Sequence, residues 1–163
     1  MIENRFGSQI IEMPKFLSKY ATEFIYLFNE IYKVCVERQS DENLSAFYNF
    51  PNNARKFLES YLFFKYPDST IGNHKRMNMF FNDVTSVAFL QRINNEFSHG
   101  EEQPDRLHKP IDIGEFKKDA SIIIKKIYEK DEDQFSSLCN SIGADIESLN
   151  IHLLSNLSLI EVY

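Results

Sequence analysis

Apolar residues recur at three- and four-residue intervals along almost the whole chain, the spacing that lines one face of an α-helix. The pattern predicts a first helix from near Pro14 to about Arg38, with Phe16, Tyr20, Phe24, Leu27, Phe28, Ile31 and Val34 on one stripe and SDEN at 40–43 ending it. A second helix opens in NFPNNARKFLESYLFFKY, where Pro51 suits the first turn and Ala54, Phe57, Leu58, Tyr61 and Leu62 keep the spacing until Pro67 stops it. A short segment follows from about His74 through Phe81. Asp83 then caps a helix carrying Val87, Leu90, Ile93 and Phe97; it ends at His99-Gly100, and EEQPDRLHKP reads as a loop. Asp112 and Glu115 have capping-box spacing ahead of Phe116, Ala120, Ile123, Ile124, Ile127 and Tyr128. Weaker helical segments are expected over 134–141 and 145–156, and LSLIEVY closes the sequence as helix or short strand.

This pattern predicts an all-α fold, a bundle of about five to seven helices. Repeats, low-complexity tracts and strand-rich regions are absent, so residues 1–163 are expected to form a single helical domain in which 131–163 is a C-terminal helical extension. At 19.2 kDa the chain is long enough to bury roughly two thirds of its unfolded surface without covalent staples. Cys35 and Cys139 are far apart and outside any zinc-ligand spacing, which points to two buried thiols in a reducing compartment and to no metal. The start MIENRFGSQIIEM carries no secretory pattern, and no stretch approaches the roughly 18 apolar residues of a membrane helix, so a cytoplasmic protein with no membrane association is expected. The net charge of −6 argues against non-specific coating of nucleic acid but leaves room for a local basic site. Basic residues do gather mid-chain, in HKR at 74–76, Arg92, RLHK at 106–109, and the lysine pairs at 117–118 and 125–126.

The chemistry concentrates in RINNEFSHG, residues 92–100. At about 100° per residue, Arg92 and His99 fall within about 20° of each other on one helical face, with Glu96 between them and Asn95 close by. Leu90, Ile93 and Phe97 point elsewhere. The strip combines a permanent cation, a group that titrates near neutrality and a carboxylate able to orient either, the parts needed to cleave RNA without a metal or cofactor. Each residue also has a structural role available: Arg92 and Glu96 are an i, i+4 ion pair, and His99 in a last turn complements the helix dipole.

Arg92, INNEFS and His99 resemble the Arg-x(4–6)-His signature of the HEPN superfamily of ribonucleases and toxins, small α-helical bundles with the motif at a helix end. MPKFLSKYATEFIYLFNEIY at 13–32, FYNFPNNARKFLESYLFFKYP at 47–67 and FLQRINNEFSHG at 89–100 are similar to the C-terminal helical region of large bacterial coiled-coil AAA- or ABC-type ATPases, a family that includes the anticodon-nuclease ATPases of phage defence. The resemblance covers roughly 13–128. It implies a HEPN-like fold and a metal-independent endoribonuclease acting on tRNA or other structured RNA in phage defence or as a toxin. In such an enzyme two copies of the motif meet across a homodimer, Arg92 and His99 are the catalytic pair, and Glu96 and Asn95 support them. Ile93 stands where HEPN enzymes often have a polar residue. The sequence has no Gly-x4-Gly-Lys-Ser/Thr loop, so this stretch is either the C-terminal portion of such an ATPase or a stand-alone relative.

Further candidates for substrate contact are Arg55, which with Glu59 forms a second i, i+4 pair beside Asn49 and Asn52, then Lys75 and Arg76 next to His74, and His108 and Lys109 in the loop after the motif. Each has a plainer alternative, an intrahelical clamp or a solvated helix start. His152 lies in an apolar run and reads as core or partner-facing. The alternative for the whole chain is a non-catalytic dimerisation or docking domain for an ATPase or an antitoxin, with the polar strip serving as an interface network.

Overall fold

The computed structural model describes residues 22–82, 89 and 113–145. Among these residues the structure is helical without strands: α1 (Glu23–Val36), α2 (Leu44–Tyr48), α3 (Phe50–Lys65), α4 (Asn73–Phe80), α5 (Ile113–Lys130) and α6 (Glu132–Ile142). The expected all-α bundle is what the chain forms.

The first helix begins later than its stripe suggests. Thr22 is extended, at φ −146° and ψ 157°, and its hydroxyl accepts the Ile25 N–H at 3.2 Å, so α1 starts at Glu23 and not near Pro14. A capping hydroxyl inside an apolar run outweighs the run's periodicity. Phe16 and Tyr20, expected on the same stripe, lie outside the described residues. The exit from α1 is stitched by Asn43, whose side chain accepts the Ser40 N–H at 2.8 Å and donates to Glu37 Oε2 at 2.8 Å and the Arg38 carbonyl at 2.9 Å. This turn leads into α2, an element the periodicity did not reveal. A single residue, Asn49, separates α2 from α3, and its side chain donates to the Ser45 carbonyl at 2.9 Å. Pro51 sits in the first turn of α3, where its missing N–H is harmless.

α1 lies between α3 and α5 and also touches α2 and α6; α4 packs on α3, and α6 on α5. The predicted stripes supply most of the core; Tyr128, expected on the α5 stripe, is instead 36% exposed, with its ring 5.2 Å from Phe135. Leu27, Phe28, Ile31 and Val34 of α1, Ala54, Phe57, Leu58, Tyr61 and Leu62 of α3, and Ala120, Ile123, Ile124 and Ile127 of α5 are all buried. Burying each such large side chain contributes about 1.5–3 kcal/mol, so the helices are held by packing more than by helix propensity. Rings form a continuous chain of contacts through this core: Phe24 stacks on Phe57 at 4.7 Å, Phe57 meets Tyr61 at 5.8 Å, and Tyr61 meets Phe80 at 5.4 Å. Phe80 then meets Phe81 at 4.9 Å, and Phe81 meets Phe89 at 4.9 Å. Such offset and edge-on pairs add about 0.5–1.5 kcal/mol each beyond area burial.

Candidate functional site

Phe89 is three residues before Arg92, and it is fully buried at the far end of that chain of rings. On the other side of the motif segment, α5 opens at Ile113, and its Phe116 ring lies 5.4 Å from Phe50. The core therefore holds both flanks of the stretch that carries RINNEFSHG. Arg92, Asn95, Glu96 and His99 themselves, with His108, Lys109 and His152, lie outside the described residues.

Three of the expected substrate contacts are described. Arg55 Nη1 donates to both Glu59 oxygens, at 3.1 and 3.4 Å, and Nη2 reaches Asn52 Oδ1 at 3.5 Å, so the predicted i, i+4 pair forms on the half-exposed face of α3. Lys75 is exposed on the first turn of α4. Arg76, one position later, is only 5% exposed. Its guanidinium donates to the Tyr66 carbonyl at 3.0 Å, the Asp68 carbonyl at 2.8 Å and Asn73 Oδ1 at 3.1 Å, and lies 5.2 Å from the Phe63 ring. A buried cation persists only when its donors are satisfied, and here they tie the α3–α4 turn together.

Two buried carboxylates carry no sequence signal. Glu30 of α1 is buried and accepts Lys33 Nζ at 2.6 Å and Asn29 Nδ2 at 3.5 Å. Asp119 of α5 is buried and partnered. Both occupy positions next to core residues of amphipathic helices, where a reader of hydropathy expects only the flank of a stripe. A third carboxylate, Asp131, sits between α5 and α6 and accepts the Tyr61 O–H at 3.3 Å and Lys65 Nζ at 3.0 Å. Burial, followed by the negative charge of Asp131, holds the Tyr61 phenol well above its ordinary range.

The thiols are buried, as expected. Burial pushes Cys139 up to about 11 and raises Cys35 as well, with the Ser121 hydroxyl at 3.5 Å partly opposing the rise. At neutral pH both are therefore protonated and poor nucleophiles. Among the described residues no cluster of His, Cys, Asp and Glu could hold a metal ion, and no helix is long and apolar enough to cross a membrane.

Residues 1–125 match the family model described as an AAA domain. The chain belongs to that family. No curated protein and no solved structure matches it. Membership here does not carry the nucleotide site, because the AAA-family sequence in hand cannot build a phosphate-binding loop. Its five glycines stand at 7, 72, 100, 114 and 143, and the nearest two are 14 positions apart where such a loop needs two within five. The chain is thus an ATPase-associated helical region.

Proposed function

We propose that this AAA-family region is a metal-independent endoribonuclease of the HEPN type, cutting tRNA or other structured RNA in phage defence or as a toxin. The observation that carries the reading is the sequence RINNEFSHG, which spaces a cation, a carboxylate and an imidazole as one face of a helix would, between Phe89 and α5, which the core holds. His99 takes the proton from the ribose 2′-OH as the 2′ oxygen bonds to phosphorus. Arg92 stabilises the charge that gathers on the phosphoryl oxygens. The bond from phosphorus to the 5′ oxygen then breaks, and that oxygen takes its proton from the imidazolium of the second copy in a homodimer. The products are a 2′,3′-cyclic phosphate and a 5′-hydroxyl. Glu96 and Asn95 orient the pair, and Lys75, His108 and Lys109 contact backbone phosphates. An ATPase or antitoxin partner keeps the two motifs apart until they are needed.

The test is a comparison of the parent with Arg92→Ala and His99→Ala on RNA, with circular dichroism confirming that each variant keeps its melting temperature. Loss of cleavage by both with the fold intact is expected; full cleavage by either contradicts the assignment. The absent phosphate-binding loop favours a second reading, a non-catalytic docking domain for an ATPase. In that case neither parent nor variants cut RNA, and substitutions in the strip instead weaken self-association or partner binding.

A further inference from the structure

Three hydrogen bonds between residues 48 to 70 positions apart converge on two neighbours, Lys130 and Asp131, at the corner between α5 and α6. Asp131 stands where an N-cap residue of α6 would normally accept a backbone N–H of the first turn, yet its side chain makes no such bond. It turns to α3 instead, where its Oδ2 accepts the Tyr61 hydroxyl at 3.3 Å and Lys65 Nζ at 3.0 Å. Lys130 reaches the end of α4: its Nζ donates to Asn82 Oδ1 at 3.3 Å and lies over the Phe80 ring, 5.5 Å from its centre. The two grips meet, because the Tyr61 and Phe80 rings are in edge contact at 5.4 Å. Burial alone is non-directional, whereas hydrogen bonds constrain distance and angle, so the corner sets where the end of α4 sits. Lys130 is exposed and the Asp131 side chain 33% exposed, so neither serves as core volume.

From the end of α4 the chain runs on to the candidate chemistry. Phe80 meets Phe81 and Phe81 meets Phe89, each at 4.9 Å, and Arg92 follows Phe89 by three positions. We infer that Lys130 and Asp131 are positioning residues, which clamp the end of α4 and, through Phe80, Phe81 and Phe89, hold the flank that leads to Arg92. Their effect on turnover rests on the ribonuclease reading; the clamp on α4 does not.

The experiment measures kcat and KM of the full chain on one end-labelled tRNA in EDTA, beside hydrogen exchange of the Phe81 amide, which bonds the Met77 carbonyl at 2.8 Å at the end of α4. Lys130→Met and Asp131→Ala are each expected to lower kcat roughly 10- to 100-fold while KM moves less than about twofold, because a displaced catalytic group costs turnover and not binding. The two substitutions change charge in opposite directions, so a purely electrostatic effect on RNA binding would move KM oppositely in the two and leave kcat alone. Lys130→Arg keeps a donor for Asn82 and a cation over Phe80, and should retain the parent's kcat. Lys125→Met, which breaks only the surface pair with Glu129, serves as the control and should leave kcat unchanged. Exchange at Phe81 should quicken in Lys130→Met and Asp131→Ala by more than exchange at Ile31 in the core of α1. Cleavage by every protein with kcat unchanged in Lys130→Met or Asp131→Ala overturns the positioning role and keeps the ribonuclease. No cleavage by the parent removes the ribonuclease, and exchange then decides the clamp: faster at Phe81 keeps it, and unchanged there overturns it.

Discussion

At the scale of single residues, Phe57 is where the core is most concentrated. It has no exposed surface and touches the rings of Phe24, Phe28 and Tyr61 at 4.7, 5.8 and 5.8 Å. Phe57→Ala removes both the buried area and the ring contacts, and is expected to destabilise the fold by about 3–5 kcal/mol in urea unfolding. A loss under about 1 kcal/mol would mean the aromatic chain is not a packed core. A second residue-scale consequence concerns pH. Tyr61, Tyr32, Cys35 and Cys139 are each raised, in every case first by burial. Folding therefore favours their neutral forms, and the stability this provides is complete below the unfolded values, 9.0 for a thiol and 10.0 for a phenol, and is lost as pH climbs through the folded ones. Stability should begin to fall above about pH 9 and continue falling past the Cys139 value of about 11. Tyr61→Phe keeps the ring but removes the titrating group, so its alkaline loss should be shallower than the parent's. Identical profiles would contradict the burial of that hydroxyl against Asp131.

Among the elements, the ends of helices decide what periodicity alone cannot. α6 finishes at Gly143, which at φ 68° adopts the left-handed conformation; the Ala144 N–H reaches the Cys139 carbonyl at 2.9 Å and the Gly143 N–H the Asn140 carbonyl at 3.2 Å. A Cβ there would meet nothing within 4 Å, so Gly143→Ala acts through backbone strain alone and should cost about 1–2 kcal/mol in thermal unfolding. No change would show that α6 ends otherwise. The stripes of α1, α3 and α5 were legible because their apolar residues face one another across a shared core, which is what three- and four-residue spacing encodes. α2 was not, because a five-residue helix with Leu44 and Tyr48 exposed and only Ala46 and Phe47 buried has no stripe to read. The start of α1 was misread for the converse reason: apolar spacing continues through Thr22, while the hydrogen bond that stops the helix there involves one hydroxyl.

For the molecule as a whole, the candidate chemistry is legible in the sequence only as a cluster of residue types, Arg92, Glu96 and His99 at the spacing of one helical face. What spacing does not encode is the mounting. Phe89 closing a run of rings that starts at Phe24, Arg76 buried beneath Phe63, and the carboxylates of Glu30 and Asp119 inside the bundle all depend on helices distant in sequence coming together. Residues 1–125 belong to an AAA-domain family, which makes the chain an ATPase-associated helical region. The most direct measurement is to incubate the purified protein and its His99→Ala variant with total tRNA in EDTA and resolve the products on a denaturing gel. Cleavage by the parent, lost in the variant and leaving 2′,3′-cyclic phosphate ends, is the predicted result; intact tRNA with both proteins, or equal cleavage by both, would contradict it.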